Sequence, residues 1–424
     1  MESSVPFTAN GLFITFFILR YLRFIIFFFA YWLYKPAPMT SVPKYTSQDV
    51  SVILPTASAF ADDIAECIRL CLENRPRDLF IVTVGRMVRA QVDYYVTDVA
   101  NLRTRYPETT ITVLCTEKAN KRLQVVAAIH QVRTKFTILM DDSVFWGPKL
   151  IASVLAAFEA DRGVGLVGTN KRVARIPTSS WWQRFVRVVA SLYLERHNYE
   201  LMASNTVDGG VFVISGRTSA MLTSIVQSDI FLERFTNERF FFGMLGPLNA
   251  DDDNFIARTM TAWGWRIKFQ SHPDAMVTTP LRAETWQLLQ KMLRWTRTTF
   301  RSNPVSLRDP NVWRRHPFSA YAVFLSGLVN LALFWDPFLA FLFRHTTFYL
   351  QSEHRQAVST VLFAWTFLTK CVKIAPFFRR NPQDLVLLPA YFMFVYLHSL
   401  IRLYALATFW DIGWGSRRLT TVEG

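Results

Sequence analysis

The apolar and polar positions divide the chain into three regions. One long apolar run lies near the start, at residues 11–34, and three more lie near the end, at 318–343, 358–378 and 385–410. Each run approaches or exceeds the roughly 20 residues that an α-helix needs to cross a bilayer. The pattern predicts one N-terminal and about three C-terminal membrane helices, with a region of different character between them.

Between the membrane regions, short apolar runs alternate with amphipathic segments. Alternating or continuous short apolar runs predict strands, and apolar spacing near 3.6 residues predicts helices. The predicted strands are 51–55, 79–84, 111–115 and 136–140, and the predicted helices between them are 62–73, 88–105 and 120–132. Such alternation is typical of an α/β domain with a parallel sheet and helices on both faces. In these sheets, ligands bind at the carboxyl ends of the strands.

The N-terminal run is interrupted by Arg20 and Arg23, which would share one helical face. A signal peptide is disfavoured because the run lacks a basic start and a small-residue cleavage site. An interfacial helix remains an alternative to a spanning anchor. By the positive-inside rule, the middle domain is predicted to lie in the cytosol. The basic residues that flank it are Lys35, Lys44, Arg314 and Arg315.

Composition agrees with a membrane protein. Of the 424 residues, 51% are hydrophobic, and 37 Phe and 13 Trp make the chain more aromatic than ordinary soluble domains. The formal net charge of +15 suits contact with anionic lipid and anionic substrates. A nucleic-acid partner is disfavoured because the arginines follow the helices beside the membrane. The four cysteines lack zinc-binding spacing and indicate core residues in a reducing compartment.

Two adjacent carboxylates follow the predicted strand 136–140. Asp141 and Asp142 would lie at the ligand-binding edge of the sheet, where paired acids offer hard oxygen ligands to Mg²⁺ or Mn²⁺ carrying a diphosphate. A simple turn or helix cap is the alternative for such a pair. The sequence has no glycine-rich phosphate loop of either common type, which argues against a dinucleotide enzyme or a P-loop NTPase.

Two further segments carry candidate chemistry. Three successive aspartates at 251–253 precede a predicted helix at 255–263, and three acids exceed what a helix cap requires. Residues 285–301 have the apolar and basic spacing of an amphipathic helix on a membrane surface. In that helix, Arg294 can bind a phosphate through its planar guanidinium, and Trp295 offers a flat ring against which a sugar can stack.

Together, these motifs resemble the membrane-embedded glycosyltransferases of family 2, which include cellulose, chitin and hyaluronan synthases. The similarity is greatest to the fungal capsular-type polysaccharide synthases, and it covers nearly the whole chain. The matching segments are Asp141-Asp142-Ser143 as the DxD motif, Asp252 in ADDDNF as the last acid of the TED or GDD motif, 291–295 as the (Q/R)xxRW motif, 205–216 as the lining of the acceptor and sugar pocket, and 414–417 as the WGTR ending.

The resemblance implies a nucleotide-sugar-binding domain of the GT-A type between the membrane helices. The implied activity is inverting, processive transfer of a sugar from a UDP-sugar to a growing extracellular polysaccharide, which leaves through the membrane region. The implied location is the plasma membrane, with the catalytic domain in the cytosol. The expected divisions are an anchor at 1–45, the GT-A-like domain at 46–280, amphipathic interface helices at 281–316 and a C-terminal transmembrane region at 317–424.

The resemblance also assigns roles to residues. Asp252 is the implied general base that deprotonates the acceptor hydroxyl, and the charges of Asp251 and Asp253 are expected to raise its proton affinity. Asp251 and Trp295 are the implied acceptor-binding residues. The Mg²⁺ or Mn²⁺ ion is expected at Asp141, Asp142 and Ser143. The nucleotide sugar is expected at Thr56, Glu117, Lys118, Asp141, Asp142 and Arg294.

Three positions depart from the family pattern. Ser143 replaces the second DxD carboxylate, Lys291 replaces the usual Gln or Arg, and Gly85-Arg86 stands where relatives have an acidic turn for uridine. One rival interpretation is non-processive transfer to a membrane lipid, as in ceramide glucosyltransferases. Another is a catalytically silent membrane scaffold, which the first two departures favour. A transporter or channel is disfavoured because it has no use for a large α/β domain. The sugar, the linkage and the oligomeric state stay open.

Overall fold

A computed structural model describes residues 8–58, 63–178, 180–280 and 284–413 of the chain. The ending at 414–417, which resembles the family's WGTR motif, lies outside the described residues. Within them, an α/β domain is joined to apolar helices from both ends of the chain. The first helix, α1 (Ala9–Leu33), comes before the domain, and the other apolar helices follow it.

The sequence builds two sheets from ten strands in the described ranges. The strands are β1 (Val50–Pro55), β2 (Asp78–Val84), β3 (Thr110–Thr116), β4 (Phe136–Met140), β5 (Phe145–Trp146), β6 (Val164–Thr169), β7 (Lys171–Val173), β8 (Thr218–Leu222), β9 (Arg266–Gln270) and β10 (Val277–Thr279). The large sheet has the order β3-β2-β1-β4-β8-β6-β9, and the small one has the order β5-β10-β7. The first four strands are parallel, as predicted, and β8 runs antiparallel to both of its neighbours.

The large sheet is buried on both faces. The helices of the domain are α2 (Ile64–Leu72), α3 (Arg86–Tyr94), α4 (Leu102–Arg105), α5 (Lys121–Ile129), α6 (Leu150–Ala160), α7 (Trp181–Asp208), α8 (Thr223–Val226), α9 (Asp229–Thr236) and α10 (Asp252–Ala262). Successive strand residues point to opposite faces, so Val52 and Leu54 of β1 pack with α2 and α6, whereas Ile53 packs with α5, α9 and α10. This double burial explains why the strands are continuous apolar runs.

The predicted helix at 88–105 is broken in the structure. It consists of α3, a π-helical turn at Tyr95–Val99, and the short α4. Asn101 separates the last two pieces with a left-handed backbone (φ 47°). Asparagine adopts this conformation more readily than most residues, which makes it a natural point for the chain to turn.

The apolar helices contain fewer candidate membrane spans than predicted. The helices that follow the α/β domain are α11 (Thr285–Arg308), α12 (Pro310–Arg315), α13 (Pro317–Ser319), α14 (Ser326–Val329), α15 (Ala332–Arg344), α16 (Thr347–Gln351), α17 (Arg355–Val372), α18 (Ala375–Arg380) and α19 (Leu388–Leu406). Among the described residues, two helices are long and apolar enough to cross a membrane, Ala9–Leu33 and Pro382–Leu406. A third span exists only if Pro317–Val329 and Ala332–Arg344, bent by 97°, count as one.

The run at 358–378 was predicted to be a membrane helix, and by length and composition it does not qualify. It is divided between α17 and α18, and α17 carries Arg355 and Lys370. Pro376 stands in the first turn of α18, where its missing N–H does no harm, but it could not continue α17 without losing a backbone hydrogen bond.

Helix α1 connects the apolar helices to the α/β domain. Near its start, the Phe16 and Phe338 rings lie 5.1 Å apart, which packs α1 against α15. Near its end, Tyr31 stacks on Tyr199 of α7 at 4.6 Å, and the Tyr34 hydroxyl donates a hydrogen bond to the Phe269 carbonyl of β9. These contacts fix the orientation of the domain relative to the apolar helices.

The predicted amphipathic helix at 285–301 is present as α11, which continues to Arg308. Its outward side carries Trp286 and Leu289, whose exposed fractions are 68% and 37%. Arg301 is buried, and Lys291, Arg294 and Arg297 are only partly exposed, so the basic residues of 285–301 do not form an exposed face. The helix therefore turns cations toward the interior of the domain.

Candidate active site

The acid pair lies at the carboxyl end of β4, as predicted. Asp142 is buried, and its Oδ2 accepts a hydrogen bond from Thr56 Oγ1 at 3.0 Å. Thr56 follows β1, so the sheet brings two predicted site residues together from neighbouring parallel strands. The Asp141 side chain remains 34% exposed and lines a cavity that Thr56 and Asp142 also line. Asp141 is therefore the carboxylate of the pair that is open to a ligand.

Lys121 links the two acidic clusters. Its Nζ lies 2.8 Å from Asp141 Oδ1 and 2.9 Å from Asp252 Oδ2, with the lysine side chain only 9% exposed. The sequence prediction missed this residue. One signal was available: a lysine in the first turn of a helix opposes the helix dipole, so its presence at the start of α5, at the ligand edge of the sheet, indicates a local anionic partner.

The segment 205–216 reaches the site through Gly216. A Cβ atom at this position would lie 3.0 Å from Lys121 Nζ and 3.7 Å from Asp252 Oδ2. The Gly216 N–H donates a hydrogen bond to Asp253 Oδ2 at 3.2 Å. A glycine here allows the backbone to approach the acid cluster closely, and Gly216 lines the same cavity as these acids.

The three aspartates before α10 have different surroundings. Asp251 does not cap the helix with its side chain; instead it accepts hydrogen bonds from Thr298 Oγ1 (2.5 Å) and Arg301 Nη2 (2.7 Å) of α11. Both carboxylate oxygens of Asp251 are therefore engaged. This arrangement shows that Asp251 is not a simple helix cap, and it ties the acid cluster to α11.

The expected rise in the proton affinity of Asp252 is wrong. Burial alone would raise the pKa of this carboxyl group, but the Lys121 ammonium, together with the charges of Arg122 and Arg294, holds the pKa below its usual value. The raised pKa belongs to Asp253, through burial and the adjacent charge of Asp252. Repulsion between neighbouring carboxylates does raise a pKa in the cluster, but it is the pKa of Asp253. The sequence alone did not reveal the Lys121 cation that lowers the pKa of Asp252.

The residues of the RW motif lie on the inner side of α11. The Trp295 ring stacks on Tyr193 of α7, with centroids 5.4 Å apart and 22° between planes, and Arg217 lies 5.6 Å from the Trp295 centroid. Arg294 lines the same cavity, and its buried Nε has no hydrogen-bond partner among the described residues. Arg294 thus presents a guanidinium to any anion in the cavity.

A single cavity of about 1050 Å³ joins these residues to the apolar helices. One end contains the acid pair, Lys121 and Asp252, and Trp295 lies along it. The other end, called the inner chamber, is lined by Arg23, Arg196, Glu200, Lys373, His398 and Arg402. The acid pair therefore does not stand in an isolated pocket of the domain.

Two predicted nucleotide-binding residues lie elsewhere. Glu117 and Lys118 are exposed and are not among the described residues that line the cavity. Ser143 does line it, and its carbonyl accepts a hydrogen bond from Thr279 Oγ1 at 3.1 Å. The strand-end argument placed Glu117 and Lys118 at the correct edge of the sheet, but the side chains turn toward solvent.

The donor set fits a divalent ion that is shared with a diphosphate. In the part of the chain that the structure describes, no group of three or more His, Cys, Asp or Glu side chains is arranged to hold a metal ion. At the end of β4, the protein ligands available to such an ion are the carboxylates of Asp141 and Asp142. Mg²⁺ commonly takes one or two protein carboxylates and completes its coordination with substrate phosphates and water, so two acids suffice.

Comparison with known proteins identifies the family. Residues 48–298 match the glycosyltransferase like family 2 model. A type 2 glycosyltransferase of Zymoseptoria tritici is 36% identical over 407 residues, which cover 96% of this chain and 83% of that protein. NDP-glycosyltransferase ltbB of Aspergillus luteorubrus is 31% identical over 301 residues, 68% of this chain and 69% of its own.

A solved structure shares the fold. The mannosyltransferase PcManGT from Pyrobaculum calidifontis, in complex with GDP-Man and Mn²⁺, superposes with a TM-score of 0.51 over 86% of this chain and 98% of its own, at 18% identity. The α/β domain with its mostly parallel sheet is thus of the GT-A type. Taken with the family match and the relatives, these findings show that the chain belongs to glycosyltransferase family 2.

Proposed function

We propose that this glycosyltransferase transfers a sugar, with inversion, from a UDP-sugar to a growing polysaccharide, which leaves through the membrane region. The observation that carries the proposal is the continuous cavity from the acid pair, past Trp295, to polar side chains of the apolar helices. Transfer to a lipid would require a lateral opening and no such passage. In this proposal, the domain lies in the cytosol at the plasma membrane.

The donor diphosphate binds at the acid pair. Asp141 and Asp142 would hold Mg²⁺ or Mn²⁺, which supplies Lewis-acid stabilisation of the leaving diphosphate. Lys121 and Arg294 line the same part of the cavity and add positive charge toward the phosphate oxygens. The Pyrobaculum neighbour is bound to GDP-Man and Mn²⁺, and the Aspergillus relative is named an NDP-glycosyltransferase, in agreement with a nucleotide-sugar donor.

Asp252 accepts the proton of the acceptor hydroxyl. Because Lys121 holds its pKa below the usual value, this carboxylate is ionised at neutral pH and available as a base. A hydroxyl activated by Asp252 attacks the anomeric carbon from the side opposite the diphosphate, so a single displacement inverts the configuration. A positioned base of this kind typically contributes about 10²- to 10⁴-fold to the rate.

Trp295 positions the acceptor sugar. Its ring is held by stacking on Tyr193, which leaves an aromatic wall along the path from Asp252 to the inner chamber. Sugar C–H groups pack on such aromatic faces, and the hydroxyl next to the ring can then be directed at Asp252. Repetition of this step, with movement of the chain past Trp295, would make the transfer processive.

The proposal is tested with purified full-length protein in detergent, supplied with Mg²⁺ or Mn²⁺ and separate UDP-sugars. UDP release and the size of the sugar product are measured together. Turnover with one UDP-sugar and a product of high mass support the proposal. A small, lipid-soluble product would replace it with lipid glycosylation. Absence of turnover from every donor, with the protein folded, would favour the silent scaffold.

A further inference from the structure

The inner chamber contains more positive charge than its own carboxylate can balance. Glu200 of α7 forms ion pairs with Lys373 Nζ at 2.6 Å and with Arg23 Nη2 at 3.4 Å. Arg196 and Arg402 line the same space, so four cations surround one carboxylate. The Glu200 side chain is 20% exposed, which limits screening by water.

The neighbouring charges of the apolar helices do not remove this surplus. Asp336 accepts a hydrogen bond from Lys370 Nζ at 2.7 Å and lies 3.5 Å from Arg20 Nη2. Its negative charge is therefore balanced by Lys370 and Arg20, which form a second cluster with it. Each cluster has more cations than acids. Arg23 and Arg402 belong to the two candidate membrane helices, where a charge is costly unless a partner neutralises it, which indicates that an anion enters the inner chamber.

Some nitrogen atoms in the chamber lack protein partners. Arg402 Nε and His398 Nε2 are buried without a hydrogen-bond partner among the described residues, and the exposed fraction of His398 is 6%. Arg196 packs over the Tyr193 ring at 5.2 Å and donates no hydrogen bond to any described residue. Buried polar groups normally have partners, so these groups favour a polar ligand in the chamber.

The chamber begins directly beyond the transfer site. Tyr193 stacks on Trp295 at 5.4 Å and lies 5.9 Å from His398, so one ring separates the RW motif from the chamber. The donor diphosphate has its own cations, Lys121 and Arg294, at the other end of the cavity. The anion in the chamber is therefore a group on the acceptor side.

We propose that the inner chamber binds a phosphate group carried by the acceptor that primes synthesis. This inference rests on the proposed function in one respect, namely that Trp295 marks the acceptor side. The four cations and the single Glu200 carboxylate leave three positive charges unbalanced, and a compact group with two negative charges suits them better than a single carboxylate. Arginine guanidinium groups bind phosphate oxygens through paired N–H donors, which suits Arg196. Arg402 already donates through Nη2 to the Gly327 carbonyl and contributes its charge. The phosphate belongs either to a membrane lipid or to a soluble sugar phosphate.

Ligand binding is tested without turnover, on full-length protein in a phosphate-free maltoside detergent. Thermal unfolding is followed against increasing decyl phosphate, glycerol phosphate or the uncharged decyl glucoside. We expect stabilisation by decyl phosphate, with a half-maximal concentration about tenfold higher or more in Arg196→Gln. Arg196→Lys, which keeps the charge, should stay much closer to the wild type. Arg380→Gln removes an ion pair with Glu195, and neither residue is among those described that line the cavity; it is the matched control and should not change the half-maximal concentration.

The outcomes separate the sources of the phosphate. Stabilisation by decyl phosphate alone supports a lipid headgroup, and equal stabilisation by glycerol phosphate supports a soluble one. Stabilisation by decyl glucoside to the same degree, or the same decyl phosphate dependence in Arg196→Gln as in the wild type, overturns the proposal. UDP release from a UDP-sugar is measured on the same samples. Intact release without phosphate binding would refute this inference and leave the proposed function standing.

Discussion

Replacement of Arg301 by methionine tests whether α11 holds the acid cluster in place. Arg301 Nη2 binds Asp251 Oδ2 at 2.7 Å, and the two side chains are 2% and 5% exposed. Arg301 Nη1 also donates to the carbonyls of Phe409 (2.7 Å) and Asp411 (3.1 Å), just beyond α19. Arg301→Met would remove all of these bonds and leave the Asp251 charge buried with Thr298 alone.

The expected cost follows from the burial of the pair. Removal of one partner from a buried ion pair destabilises a protein by about 3–5 kcal/mol, because the remaining charge is uncompensated. Arg297→Met is the matched control, one turn earlier on α11. Its partner Asp411 is 50% exposed, so the loss there should be below about 1 kcal/mol. Because Asp251 immediately precedes Asp252, Arg301→Met should also lower the turnover number.

The assay is thermal unfolding in detergent, combined with UDP release. We expect the order of stability to be wild type, Arg297→Met and, well below both, Arg301→Met. The double variant Asp251→Asn/Arg301→Met should recover part of the stability, because it removes the uncompensated charge. Equal unfolding temperatures for Arg301→Met and Arg297→Met would refute the idea that this pair fixes the cluster.

Three further outcomes are expected. Lys121→Met should lower the turnover number about 10²-fold or more, whereas Arg133→Met, at an exposed site, should leave it unchanged. Equal rates of UDP release by the two variants would contradict a role for Lys121. Gly210→Ala should destabilise the fold by about 1–3 kcal/mol in thermal unfolding, since the added Cβ would lie 2.1 Å from Ser319 Oγ. Gly147→Ala should not destabilise it, because the atom nearest to the added Cβ lies 4.0 Å away. Burial lowers the pKa of Lys171 to about 7, so above pH 7 the unfolded chain binds a proton that the folded protein does not. The unfolding temperature should therefore rise from pH 7 to 9 relative to Lys171→Met, and a constant difference would be inconsistent with that pKa.

The sheet and its ligand edge could be predicted from local patterns. β1 to β4 are continuous apolar runs separated by helices, and this pattern specifies a parallel sheet buried on both faces. Parallel strands place their carboxyl ends together, so Asp141, Asp142 and Thr56 were expected at one edge. Each of these inferences depends on a property of short segments, which sequence pattern reports directly.

The contacts between distant segments could not be predicted. The Lys121 ammonium reverses the expected pKa shift of Asp252, and Arg301 occupies the carboxylate of Asp251. Each pair joins residues from different elements, and spacing along the chain carries no signal for such a meeting. The orientation of Glu117 and Lys118 depends on the turn after β3 and was not visible for the same reason.

The measurement that tests the account most directly is UDP release by Asp252→Asn, compared with wild type at saturating metal and UDP-sugar. Asparagine keeps the size of the side chain but cannot accept the acceptor proton. The account requires a loss of about 10²-fold or more in turnover with UDP-sugar binding retained. Turnover within a few-fold of wild type in a folded Asp252→Asn protein would contradict it, because another group would then have to serve as the base.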